Sequence, residues 1–275
     1  VRPPKTAQEE AAIRKRWQDR KALYEEIKRQ AQQLRMLCMQ YFPDIDASHL
    51  DDLAIKGRYN ELQAAIIEMK NTIKTANEAI TANKISCKQG KEMNHVSANQ
   101  EKANPNFESG LRKYKINCQS CVVAYELRRR GFDVEAHGNE ERPGTITHRL
   151  ARRTEMAWID PETGLYPKAI KAGGWKDFNT EISREQMLAQ FDKITAKPGR
   201  YHAYYYWKGG GGHIITAERL QNGLLRLYDP QTGKHYDDAT WEYYTTRMVL
   251  GHGISVYKVE GLLINNDIIS GVVHR

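Results

Sequence analysis

The sequence predicts an α+β domain behind an N-terminal antiparallel helical hairpin. Three observations carry this. Apolar residues recur at heptad spacing through the first eighty positions. A polar stretch without periodicity follows over 83–110. Beyond it a helical pattern gives way to short β-branched and aromatic runs broken by glycine turns, the order of an α+β arrangement.

In the first part, Ile13, Trp17, Tyr24, Ile27, Ala31, Leu34, Cys38 and Tyr41 follow a four–three alternation that only Arg20 interrupts, and Pro43 ends the helix. A second helix starts near Arg58 with the face Tyr59, Leu62, Ile66, Met69, Ile73, Ala76 and Ile80. A narrow apolar seam of this kind is the pattern of coiled-coil packing. Two such helices joined by residues 42–57 form, most simply, an antiparallel hairpin over 1–82. Residues 83–110, with Asn104-Pro105-Asn106, read as a polar linker.

The second domain is expected over 111–275. It opens with a helix through Val122-Val123-Ala124-Tyr125-Glu126-Leu127, with Asn117 or Ser120 as its cap and Gly131 as its stop. Phe132 to Ala136 reads as a short strand, and 137–182 as loop-rich. Ser183-Arg184-Glu185-Gln186 starts another helix. Strands follow at Tyr201–Trp207, His213–Glu218 and Leu224–Tyr228, the last two joined by Asn222-Gly223, a strong hairpin signal. A short helix around Trp241 to Met248 and a strand at Ile254–Val259 complete the domain.

Composition narrows the class of protein. The chain is 275 residues, 40% hydrophobic and 28% charged, with a mean hydropathy of −0.72, which fits a globular part plus exposed helices. No stretch reaches the apolar length of a membrane span. Val1-Arg2-Pro3-Pro4-Lys5 has no signal-peptide core and no initiating Met, which reads as a processed fragment or the tail of a longer chain. Four cysteines (Cys38, Cys87, Cys118, Cys121) are too few for a disulfide scaffold, so a reducing, cytoplasmic compartment is expected. The net charge of +8 concentrates in residues 1–37, with ten Lys/Arg against five Asp/Glu, and in a run from Arg128-Arg129-Arg130 through Arg142, Arg149, Arg152 and Arg153. Such patches suit nucleic acid or simply a solvated helix surface, the favoured reading.

Chemistry concentrates in two places. Cys118-Gln119-Ser120-Cys121 lies at a helix start, where unpaired N–H groups and the helix dipole favour thiolate over thiol and can also hold an oxyanion. His213 begins one strand of the hairpin and Asp229 ends its partner, so both lie at the open end, where a carboxylate can fix the imidazole tautomer. Four glycines, 209–212, precede His213 and leave room for a substrate backbone. Other readings stand beside this one. The Cys pair is half a zinc site, to which Cys87 and His95 add only poorly spaced ligands, or a redox pair without a thioredoxin-like context. Asp229 in Asp-Pro-Gln-Thr-Gly is also an ordinary turn former.

Asn117-Cys118-Gln119-Ser120-Cys121, Gly212-His213-Ile214-Ile215 and Asp229-Pro230-Gln231, in that order over roughly 107–275, resemble the papain-fold toxin domains of bacterial polymorphic toxins, which also occur at the C-termini of phage minor head proteins. The resemblance implies a papain-like fold and a Cys–His–Asp triad. It implies a cofactor-free, metal-free enzyme, either a protein glutamine deamidase or a cysteine protease, acting as a toxin or effector. Its partners would be a target protein, an immunity protein and phage head or portal proteins. The nucleophile is Cys118 or Cys121: the toxin pattern centres on Asn-Cys, whereas papain-like proteases attack with the second cysteine of Cys-x-Ser-Cys. Asn117, Gln231 and Gly212 are the expected oxyanion and substrate contacts. No Gln stands upstream at the papain spacing, which favours deamidation over proteolysis. The alternative class is a non-enzymatic phage head, assembly or DNA-associated protein.

Overall fold

The computed structural model describes residues 6–173, 183–208, 210–236, 248–249 and 253–275. The short helix expected around Trp241 lies outside them, apart from Met248, which is in a strand. The chain divides into two compact units, Val1–Ala76 with Pro161–Gly164 and Asn77–Asp160 with Leu165–Arg275.

In the first unit, α1 (Ala7–Tyr41) starts at a capping box: the Thr6 hydroxyl accepts from Glu9 N–H, and the Glu9 carboxylate accepts from Thr6 N–H. The heptad seam is buried only in the second half of this helix, at Ile27, Ala31, Leu34 and Cys38, joined by Leu37 from outside the seam; Ile13 and Trp17 are 44% and 64% exposed. Residues 42–57 are more than a connection, because they contain α2 (Ser48–Ile55), with Leu50 fully buried. The third helix, α3 (Tyr59–Lys84), follows.

These contacts overturn the antiparallel hairpin. Tyr24 stacks on Tyr59, with ring centroids 3.9 Å apart, and the Cys38 thiol reaches Met69. Tyr24, midway along α1, meets the first residue of α3, and Cys38, near the end of α1, meets a residue further along α3, so α1 and α3 run in the same sense. The reversal is made by α2, which Asp51 ties to Arg35. Heptad spacing fixes which face is buried, but not how many helices share it.

The second unit begins before the expected domain start. Ile85, Cys87, Ala98 and Ala103, all in the supposed linker, are buried in the same core as helix α5 (Cys118–Arg129). Scattered single apolar residues leave no periodic signal, yet each fills the core. The short helix α4 (Gln100–Ala103) is part of this segment. Asn77 meets strand backbone as another strand would: its amide donates to Ile264 C=O and its carbonyl accepts from Ile264 N–H, both at 2.8 Å.

Helix α5 is buried from Gln119 to Arg128. Gly131 stops it at φ 94°, where a Cβ would lie 2.4 Å from the carbonyl oxygen of Gly90, so only glycine fits. Short elements follow: β1 (Glu135–Ala136), α6 (Ile146–Leu150), β2 (Trp158–Ile159) and β3 (Ile170–Ala172). Helix α7 (Arg184–Ile194) carries the Ser183–Gln186 capping box that its sequence announces.

The main sheet then forms from β4 (Gly199–Trp207), β5 (Gly212–Arg219), β6 (Leu225–Tyr228), β7 (Met248–Val249) and β8 (Ile254–Lys258). Its order is β3-β8-β4-β5-β6, all antiparallel, with β7 also on β4. Two small pairs complete the unit: β9 (Leu263–Ile264) on β2, and β10 (Val273–His274) on β1. Alternation along the strands divides the core in two. Ile214 and Tyr204 pack with α5, whereas Ala203, Tyr205 and Ile215 pack with Met187 and Phe191 of α7.

The run Arg128-Arg129-Arg130, expected on a solvated surface or a nucleic-acid face, is neither. Arg129 pairs with Glu218, and Arg130 and Arg200 clamp Glu126, which is 1% exposed. Arg130 also donates to the carbonyls of Leu262 and Val259, and Arg128 pairs with Asp133. Burial opposes ionisation of Glu126, but the two guanidinium groups hold its pKa at about 2. Glu126→Ala leaves two half-buried cations without their carboxylate, so we expect a loss of about 3 kcal/mol in denaturant unfolding. A loss under about 1 kcal/mol would show the cluster to be incidental to stability.

Candidate active site

Cys118 is the first residue of α5 and is half-buried. Its thiol donates to the Gln119 side-chain oxygen at 3.6 Å, and Cys118 also acts on the imidazole of His213, near the start of β5, helping to raise its pKa. The His213 Nε2 is 2.9 Å from Asp229 Oδ2. The imidazole and the carboxylate are therefore in direct contact, with the thiol near enough to act on the imidazole's charge.

The sheet register explains how Asp229 gets there. The last β5–β6 pair at this end is Thr216↔Tyr228. Asp229 follows Tyr228 directly, so it reaches His213 diagonally and not as a ladder partner. Its carboxylate is completely buried and accepts two further bonds at 2.9 Å, from Gln231 N–H to Oδ1 and from the Thr232 hydroxyl to Oδ2. Burial alone would raise its pKa; the His213 charge and these bonds bring it below the usual carboxylate range. For His213, burial works against the charged form. The Asp229 charge and hydrogen bond, followed by Cys118, overcome this and raise its pKa to about 10. The rings of Tyr205 and Trp207 pack around it, with centroids at 5.6 and 5.4 Å.

The second cysteine of the pair is placed differently. Cys121 is fully buried one turn along α5, and burial pushes its thiol well above the usual range.

The expected auxiliary residues make contacts within the protein. Asn117 sits at the N-cap position but makes no side-chain cap. Its amide donates to Asn104 Oδ1 and to the carbonyl of His137, and its own oxygen accepts from Gln231 Nε2. Asn117 and Asn104 are fully buried and Gln231 nearly so. The three form a polar clamp between the segment before α5 and the Asp229 turn. Gly212 does not leave space for a substrate backbone, because a Cβ there would meet the Tyr204 hydroxyl at 2.1 Å. Tyr204 occupies the room that the glycine provides. Burial, followed by Tyr206 and then Cys118, pushes its phenol above the ordinary range.

Sequence reasoning missed Asn104, Thr232 and Tyr204. The position of Thr232, three residues after Asp229 in a tight turn, was a usable signal. Among the described residues no group of three or more His, Cys, Asp or Glu is placed to hold a metal ion. Cys87 points its thiol at backbone carbonyls, and His95 bonds to Tyr125 and His235.

Residues 116–234 match the family model described as papain fold toxin 1, glutamine deamidase. This segment is a papain-fold toxin domain. The match opens two residues before Cys118 and closes five after Asp229, so all three site groups of the toxin domain fall inside it. β8, β9 and β10, which complete the unit, lie beyond it. No curated protein matches the chain. No helix among the described residues is long and apolar enough to cross a membrane.

Proposed function

We propose that the toxin domain is a protein glutamine deamidase with Cys118 as nucleophile. The observation that carries this is the placement of Cys118 near enough to act on the His213–Asp229 pair, at a helix start and inside the matched segment. The Cys118 thiolate adds to the carboxamide carbon, and the resulting oxyanion is received by the Cys118 N–H, one of the unpaired amides of the first helical turn. The His213 imidazolium donates its proton to the nitrogen as the carbon–nitrogen bond breaks and ammonia leaves. Water, deprotonated by His213, then attacks the thioester, releasing the new carboxylate and restoring the thiolate. Asp229 acts as a positioning residue that fixes the imidazole. The target protein is attacked in a reducing compartment, and an immunity protein protects the producer.

Proteolysis uses the same groups, so the test separates the two outcomes. The purified chain is incubated with an unfolded glutamine-rich protein, and ammonia release is followed beside intact mass. The expected result is ammonia together with the mass gain of amide-to-acid conversion, in an uncut substrate. Cut substrate without ammonia would replace deamidation by peptidase activity. Neither product, together with bacterial toxicity that survives a Cys118→Ala/Cys121→Ala double variant, would favour the non-enzymatic phage-assembly reading.

A further inference from the structure

A cavity of about 320 Å³ lies on the α5 side of the main sheet. Its floor is Tyr204, Tyr206, Ile214 and Tyr257, and its walls come from the segments after α6 and around β3. It adjoins the site: Tyr204 is the side chain wedged over Gly212, next to His213, and Ile214 follows His213 directly.

The lining has an uneven charge. Arg152 and Lys171 both reach the cavity, and neither side chain is ion-paired with another described residue. The one lining carboxylate, Glu155, is already bridged by Arg153 at 3.1 Å. Among the described residues, two cations thus face a space of side-chain size with no protein anion left to meet them. The protein as a whole carries +8, so its field attracts an acidic partner. The tyrosine floor offers an apolar body with polar tips, suited to the methylenes of an acidic side chain.

We propose that this cavity is a specificity pocket, and that it takes an acidic side chain of the target protein lying beside the glutamine that reacts. The inference rests on the deamidase reading and adds a substrate class to it. Arg152 and Lys171 bind the carboxylate, while Tyr204 separates it from the thiol, so that the neighbouring carboxamide is held at Cys118.

The test uses the full chain and three peptides that differ only in the residues flanking one glutamine: glutamate, alanine or lysine. Ammonia release should favour the glutamate peptide over the lysine peptide by about five- to tenfold in kcat/KM, and the preference should shrink as salt is raised. Arg152→Glu with Lys171→Glu, both at exposed positions, should reverse the order. Equal turnover of the three peptides, or an order unmoved by the charge reversal, overturns the pocket while leaving deamidation intact. If no peptide releases ammonia, the deamidase reading has failed, and protection of Cys118 from iodoacetamide still decides the pocket. The glutamate peptide should then protect at the lowest concentration in the unaltered chain, and the lysine peptide in the charge-reversed one. Equal protection by all three overturns the pocket.

Discussion

Cys118→Ala is expected to lower ammonia release by at least about a thousandfold while leaving the unfolding midpoint where it was, whereas Cys121→Ala should do the reverse. The asymmetry follows from placement. Cys118 is half-buried at the helix tip with an imidazole near it, so its removal takes away the attacking sulfur and little packing. Cys121 is sealed in the core, where its thiol stays protonated and fills volume; truncation there costs about 1 kcal/mol and leaves the reaction within a few-fold of its original rate. Iodoacetamide should give the same ranking. Cys38, Cys87 and Cys121 are all 3% exposed or less, so brief labelling in the native state should map to Cys118 alone, and His213→Ala should slow it. The measurements are a steady-state assay, a denaturant titration and peptide mapping of the labelled thiol. Activity that persists in Cys118→Ala and disappears in Cys121→Ala would move the nucleophile one turn along the helix and remove the mechanism as written.

Whether a feature is legible in the sequence depends on how close along the chain its partner lies. The Asn222-Gly223 turn fixes a hairpin by local geometry alone, so the placement of His213 and Asp229 at one open end can be read directly. Gly131 and the Ser183–Gln186 box are equally local. What the sequence hides is set by distant contacts. Asn104 looks like turn material beside Pro105, and only its bonds to Asn117 and Gln231, the latter far along the chain, make it part of the site's support. Arg128-Arg129-Arg130 reads as surface because arginine usually is; Glu126 and Asp133 stand within five residues of Arg130 and Arg128, but the distant partner of Arg129, Glu218, and the second clamp on Glu126, Arg200, become visible only once the sheet lies against α5. The helical arm is hidden for a related reason. A heptad seam states that a face is covered, and the short α2 that shares the cover has too few residues to show a period.

The largest effect on pH behaviour is expected from Asp229→Asn, which keeps one carbonyl acceptor in the Gln231–Thr232 turn but removes the charge behind His213. Two consequences follow with definite signs. The first concerns activity. A His213 whose pKa is raised to about 10 carries its proton through the neutral range and loses it on the alkaline side, so deamidation by the unaltered chain should decline as pH approaches 10. In the variant this limb should move down toward the ordinary histidine value of 6.5, and the rate at neutral pH should fall by about a thousand- to ten-thousandfold, since an amide no longer fixes the imidazole tautomer. The second concerns stability. The raised His213 pKa contributes stability that is complete below pH 6.5 and is lost as pH climbs toward 10. The depressed Asp229 pKa contributes stability that is complete above its usual 3.8 and is lost as acid protonates the folded carboxylate. The thermal midpoint of the unaltered chain should therefore fall on both sides of that window, and Asp229→Asn should flatten both slopes. A merely structural role for Asp229 would lower the midpoint at every pH without moving the alkaline limb of the rate profile. A limb left in place would show that the carboxylate does not set the protonation of His213, and the account of its buried partnership with the imidazole would have to be given up.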